Sequence, residues 1–207
     1  MNAVALWASF YRANPQRFCK DYLNVNLKMF QQILIYCMAL CTNFCFIAAR
    51  GLGKTFLCAI FCCWKAILYP GSLIVIASKT RNQGSLVLKK IEQELVPRSP
   101  LLRSEIKDIT INQSVAKITF RNDSVIEVVT AADTARGGRA SLLIIDEYRM
   151  VDKEVLDLVL KKFLNYIRHP GYMDNPKYAH LAERNQQMYL SSAWFEQHWS
   201  WDLCKDY

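Results

Sequence analysis

No two of the eight cysteines are separated by the two residues that a zinc knuckle uses, and Cys37, Cys41, Cys58, Cys62 and Cys63 fall instead within apolar, helix-like stretches. That spacing argues against a zinc scaffold and for reduced cysteines that serve as small buried hydrophobes. The chain has no internal repeat, no low-complexity tract and no heptad seam, so neither a solenoid nor a coiled coil is expected. No secretory leader is evident at its start. The apolar run over residues 33–49 approaches the length of a bilayer span, but Thr42 and Asn43 interrupt it. A buried helix followed by a buried strand accounts for it better, and no membrane association is expected.

What is present suits one α/β domain. The chain has 207 residues, 52% of them hydrophobic, enough for a substantial core. Twenty-six basic against eighteen acidic residues give a formal charge of +8, which favours a polyanionic partner without identifying one.

The most informative stretch is Ala48-Ala49-Arg50-Gly51-Leu52-Gly53-Lys54-Thr55, placed between an apolar run at residues 43–49 and a helix-like segment at residues 55–69. Strand, glycine-rich turn and helix, in that order, form the context of a phosphate-binding loop. In such a loop the backbone N–H groups face a bound polyphosphate, Lys54 reaches the outer phosphates, and the Thr55 hydroxyl holds a magnesium ion. The general pattern G-x-x-x-x-G-K-[ST] puts glycine where this chain has Ala48; a small residue still lets the loop turn, and Gly51 and Gly53 keep the backbone close to the phosphates. A nucleoside triphosphate is the expected ligand.

A second apolar run, residues 141–145, ends in Asp146-Glu147. A continuous apolar run suits a strand buried on both faces of a parallel sheet, and ligands bind at the carboxyl ends of such strands. Asp146 is therefore expected to hold magnesium, directly or through water, and Glu147 to polarise the water that attacks the terminal phosphate. The competing reading is a helix start, where acidic residues also gather.

Read coarsely, residues 3–14 and 27–40 predict helices before the phosphate loop. After the helix that follows the loop, Pro70-Gly71 marks a stop, residues 72–77 predict a strand, and residues 83–96 predict a helix with Leu86, Leu88, Ile91 and Leu95 on or near its inner face. Three alternating segments between residues 106 and 130, separated by Asn112-Gln113-Ser114 and Arg121-Asn122-Asp123-Ser124, predict an antiparallel meander. A helix over residues 153–168 and a short strand over residues 187–192 follow. The segment from Trp194 onward is aromatic and reads as unfinished.

Taken in order, these motifs resemble the ATPase domain of the large terminase subunit of tailed bacteriophages, the motor that packages DNA into procapsids, and the resemblance covers nearly the whole chain. In that family an aromatic-Gln pair on a helix before the loop contacts adenine; Phe30-Gln31 resembles it, with Gln32 the neighbouring candidate. The family's loop carries arginine three positions before the second glycine, as Arg50 stands here, and commonly lacks the first glycine. By this resemblance Gln31, Ala49, Arg50, Gly51, Leu52, Gly53, Lys54 and Thr55 bind ATP, with Thr55 and Asp146 on Mg2+ and Glu147, Arg50 and Lys54 as the catalytic group. The stretch Ala135-Arg136-Gly137-Gly138-Arg139-Ala140 is similar to the arginine-glycine segment that precedes the acidic strand in terminases, and Ser191-Ser192-Ala193 is similar to the coupling motif that links hydrolysis to movement.

The resemblance implies a P-loop NTPase fold of the additional-strand catalytic-glutamate type: a mainly parallel sheet flanked by helices, with an antiparallel meander. Residues 1–42 would form an N-terminal helical part carrying the adenine-contacting Gln, and residues 43–207 the P-loop core. The family's nuclease domain is absent from this chain, so no DNA cleavage is expected. The implied activity is ATP hydrolysis that drives double-stranded DNA into a procapsid, with the portal protein and the small terminase subunit as partners, subunits assembled in a ring, and the host cell cytoplasm as the setting. A monomer is expected in solution. Arg50 would act within its own subunit; whether Arg136 or Arg139 reaches a neighbour's site stays open.

Two rivals share parts of this pattern. A helicase-like translocase would share the loop and the Asp-Glu pair, with residues 78–83 as a DNA-contacting loop, but it needs a second motor domain, and 60 residues after Glu147 are too few. A non-hydrolysing nucleotide-binding scaffold has no use for a water-orienting Glu147.

Overall fold

The computed structural model describes residues 3–132, 138–176 and 183–206. Its strands are β1 (Asn43–Ile47), β2 (Leu73–Ser78), β3 (Ile106–Ile111), β4 (Ala116–Phe120), β5 (Val125–Thr130), β6 (Leu142–Asp146) and β7 (Gln186–Ser191). They form one seven-stranded sheet in the order β1-β7-β6-β2-β5-β4-β3. β1, β7, β6, β2 and β5 run parallel, and β4 and β3 continue the sheet antiparallel. The carboxyl ends of β1, β7, β6 and β2 therefore lie along one edge. β7 is the strand inserted between the strand that enters the glycine-rich loop and the strand that ends in Asp146.

The β6 sequence shows why a parallel strand must be apolar throughout. Leu142 and Ile144 pack into the core on one side of the sheet, Leu143 and Ile145 into the core on the other, and all four are fully buried. Each such side chain contributes about 1.5–3 kcal/mol relative to exposure. The first core lies beneath α1 (Ala3–Ala13), α2 (Pro15–Asp21), α3 (Met29–Leu40), α4 (Lys54–Leu68) and α5 (Arg81–Lys90); the second lies against α7 (Lys153–Leu158) and α8 (Trp199–Lys205). Between β2 and β3 the short α6 (Pro100–Glu105) is capped by Ser99, whose Oγ accepts from Leu102 N at 3.0 Å, with Pro100 at the first helical position.

α4 is enclosed from residue 57 to residue 68. Even Lys65 is buried: its Nζ donates to Gln186 Oε1 at 2.9 Å and lies over the Tyr69 ring, and burial pulls its pKa down to about 8. Gln186 also donates to the Cys41 and Met38 carbonyls at 2.9 and 3.2 Å, which ties the end of α3 to the start of β7 and so fixes where β1 begins.

α5 lies so close to the sheet that a Cβ at Gly84 would sit 2.5 Å from Val128 Cγ1 and 2.7 Å from Ser78 Oγ. Alanine ordinarily stabilises a helix interior by about 0.8–1.0 kcal/mol over glycine. Here overpacking reverses the sign, and Gly84→Ala is expected to lower stability by about 1–2 kcal/mol. Urea unfolding checks it: an unchanged or raised midpoint would mean that α5 stands further from β5 than this.

Several expectations are corrected. The helix expected over residues 83–96 starts at Arg81, behind a Thr80 cap, and its last turn, Ile91–Leu95, widens to a π-helix. Leu86 is exposed; Val87, with Leu88, Ile91 and Leu95, faces the core. The helix expected over residues 153–168 ends at Leu158 and tightens to a 3₁₀ turn, Leu160–Phe163. Further on, the Phe163 carbonyl accepts from Ala140 N at 2.7 Å and that of Leu164 from Asn185 Nδ2 at 2.8 Å, so neither serves a resumed helical ladder. The run over residues 33–49 is not buried as expected. α3 buries only Ile35 and Met38, β1 is a half-buried edge strand, and Cys37 and Cys41 are half-buried. No helix among the described residues is long and apolar enough to cross a membrane. All eight cysteines are unpaired.

Candidate active site at the carboxyl edge of the sheet

β1 delivers the chain into the glycine-rich loop, where Gly51 and Gly53 have φ of +84° and +83°. These are left-handed values that glycine adopts without strain, so the loop's turns need glycine at both positions. Gly53 is the residue that caps α4, a helix of fifteen residues, whose free N–H groups and dipole favour an anion at this end. Ala48 is buried while Ala49, Arg50, Gly51 and Leu52 are exposed, and Lys54 and Thr55 are half-buried. Lys54 Nζ donates to the Ala48 carbonyl at 2.8 Å, so the ammonium is held across the loop.

The two glutamines of α3 diverge. Gln31 lies against the loop, its Nε2 being 3.3 Å from where a Cβ would stand at Gly53, while its Oε1 accepts from Lys28 N at 3.0 Å. Gln32 turns back to the Leu27 carbonyl at 2.9 Å. Of the pair, Gln31 is the one at the phosphate loop.

β6 ends on Asp146, which is 8% exposed, and Glu147 follows with φ of +48°. A left-handed glutamate is uncommon and turns the chain abruptly, so adjacent carboxylates enter different surroundings. Burial, reinforced by the charge of Glu147, pushes the Asp146 carboxyl up to about 6, against the pull of the Glu147 N–H and Lys54. Burial alone would raise Glu147 too, but a hydrogen bond and charge from Arg149, the Ser192 N–H and Lys54 outweigh it and hold the group below its ordinary value. Two neighbouring carboxyls are thus driven apart, the pattern of sites in which such groups take different roles.

Glu147 Oε2 accepts from Arg149 Nε at 3.0 Å, from Ser191 Oγ and Ser192 Oγ at 3.3 Å each, and weakly from Ser192 N at 3.5 Å. β7 pairs with β6 in register up to Asp146–Leu190, which is why Ser191 and Ser192 arrive beside Glu147. Ala193 is exposed. The loop, the acidic pair and the Ser191-Ser192 segment expected from sequence are therefore neighbours along one sheet edge. Arg139 is exposed, and Arg136 lies outside the described residues.

Sequence reasoning missed Arg149. It stands on the 3₁₀ turn Tyr148–Met150, with its guanidinium 4.2 Å over the Trp194 ring. A basic residue two positions beyond Glu147 has no pattern of its own, and the left-handed turn at Glu147 that brings the two together is invisible in the sequence.

Comparison with known proteins places this arrangement. Residues 38–169 match the model of the family described as terminase large subunit, ATPase domain. None of the curated proteins compared matches the chain. Among solved structures, the large terminase ATPase domain of Thermus phage P74-26 is similar with a TM-score of 0.58 at 15% identity, over 83% of this chain and 67% of that one. The HK97 bacteriophage large terminase is similar with a TM-score of 0.61 at 20% identity, over 96% of this chain and 41% of that one. The large terminase of a thermophilic bacteriophage gives 0.57 at 10% identity, over 86% and 42%. The likenesses concern the fold, and this chain spans about two fifths of the last two proteins. With the family match extending over more than half of the chain and taking in both the glycine-rich loop and the acidic strand end, the chain belongs to the family of terminase large-subunit ATPase domains.

Proposed function

We propose that this domain hydrolyses ATP to ADP and phosphate, and that the turnover drives double-stranded viral DNA into a procapsid. The observation that carries the reading is the meeting of three strand ends: Lys54 beyond β1, Asp146 and Glu147 at β6, and Ser191-Ser192 at β7, with both serine hydroxyls 3.3 Å from Glu147. The loop's N–H groups and Lys54 bind the phosphates, and Gln31 beside Gly53 contacts the adenine. Glu147, held ionised, accepts the proton of the attacking water. Arg50, exposed on the same loop, meets the charge that builds on the departing phosphoryl group.

Thr55 and Asp146 are the residues that would hold Mg2+, which when bound supplies positive charge at the outer phosphates. Their chemistry fits: a hydroxyl at a helix start and a buried carboxylate whose charge, among the described residues, Lys54 and one N–H offset. Ser191 and Ser192 touch Glu147 directly, so movement of β7 and the state of the glutamate are linked, as a coupling role requires. Portal protein, small terminase subunit and further copies of the domain in a ring are the proposed partners, in the host cytoplasm, with Arg139 or Arg136 the candidates to reach a neighbour's site.

Phosphate release by the purified domain with Mg2+ and ATP tests the reading. Slow turnover is expected, lost together with nucleotide affinity in Lys54→Ala, because that change removes a charge on the ground-state phosphates. Tight ATP binding with no Mg2+-dependent turnover would favour a scaffold instead.

A further inference from the structure

Glu147 is anchored by one oxygen. Each of its hydrogen bonds among the described residues ends on Oε2, and none on Oε1. Three of the four donors are neutral and 3.3 Å or further away, whereas Arg149 is charged and stands at 3.0 Å, so it is the strongest hold on the carboxylate. Arg149 is itself held: it is 13% exposed in its side chain, donates from Nε to Glu147 and has its guanidinium carbon 4.2 Å over the Trp194 ring. Without this hold, the carboxylate keeps among the described residues only the longer, neutral contacts from Ser191 and Ser192.

We propose that Arg149 is a positioning residue for ATP hydrolysis: it pins Oε2 of Glu147 so that Oε1 is the oxygen offered to water, and Trp194 pins Arg149. The proposal rests on the reading of Glu147 as the base. Its function needs an edge donor and a flat face at once, which guanidinium has and ammonium lacks.

A double-mutant cycle on the turnover number tests it. Misplacing a base without altering phosphate binding is expected to lower kcat in Arg149→Ala by about 10- to 100-fold, with the Michaelis constant for ATP held within about twofold. Arg149→Lys is expected to recover only part of the loss. In a Glu147→Gln background, Arg149→Ala is expected to cost less than about twofold more, because a residue that acts through Glu147 has nothing left to position. Losses that multiply in the double variant, or an Arg149→Ala protein that turns over at the parent rate or faster, would overturn the proposal. If melting curves show that Arg149→Ala does not fold, Trp194→Ala carries the test. A kcat lowered about threefold or more at steady Michaelis constant supports the proposal, and an unchanged kcat refutes it. Near-normal hydrolysis by Glu147→Gln would instead remove the underlying reading of the base, so the two failures are distinguishable.

Discussion

Glu147→Gln is expected to keep ATP bound and to lower its hydrolysis by about 10²-fold or more, the scale on which loss of a positioned base is felt. The substitution is close to isosteric, so the carbonyl of the new amide can still meet Arg149, Ser191 and Ser192 where Oε2 did. That leaves an NH2 group facing the water, which donates where the carboxylate accepted. Phosphate binding by Lys54 and the loop is untouched, and nucleotide affinity is expected to stay within about threefold of the parent. Single-turnover phosphate release and titration with a fluorescent nucleotide measure the two quantities separately. Near-normal hydrolysis would take the base away from Glu147.

Arg50→Ala is expected to have an effect at least as large. Arg50 lies in the exposed part of the loop, between Ala49 and the left-handed Gly51, next to the proposed site of the outer phosphates. A guanidinium there either binds phosphate equally before and during reaction, or meets charge that appears only as the terminal group leaves. The second role is worth about 10³ to 10⁵ in rate. The turnover number is therefore expected to fall by about 10³-fold or more in Arg50→Ala, with a much smaller change in the Michaelis constant, and Arg50→Lys is not expected to restore it, since an ammonium lacks the planar fork. Steady-state kinetics over a range of ATP concentrations checks both. Weaker ATP affinity at normal turnover would make Arg50 a binding residue and move attention to Arg139 and Arg136.

Much of this site was legible because its parts are local. A strand, two glycines, Lys54 and Thr55 occupy one short stretch, and an apolar run that stops at Asp146 announces its own carboxyl end. The meander was legible for the same reason: Asn112 Oδ1 accepts from Ser114 N and Val115 N at 2.9 and 2.7 Å, a turn that its sequence specifies. What the sequence hid depends on residues far apart. The apolar spacing of Val155, Leu156, Val159, Leu160 and Phe163 suits a helix, yet the α-helix stops at Leu158, and the Phe163 and Leu164 carbonyls pair with Ala140 and Asn185 rather than resuming it. Leu86 is a different kind of miss: the buried positions 84, 87, 88, 91 and 95 follow the three-to-four spacing of one helix face, the face that Gly84 lays on β5, and Leu86 is off that spacing. The hold of Arg149 on Glu147 needs a left-handed glutamate and a tryptophan 45 residues further on, neither of which periodicity reveals.

A crystal structure of the domain with Mg2+ and a non-hydrolysable ATP analogue would decide whether these groups share one pocket. The terminal phosphate is expected between Lys54 and Glu147, the metal against Thr55 and Asp146, Gln31 on the adenine, Arg50 on the outer phosphates, and Oε1 of Glu147 facing the attacking water. A nucleotide bound away from the loop, or one bound there with Glu147 turned from the terminal phosphate and another group in its place, would contradict the assignment of Glu147 as the base of an ATPase.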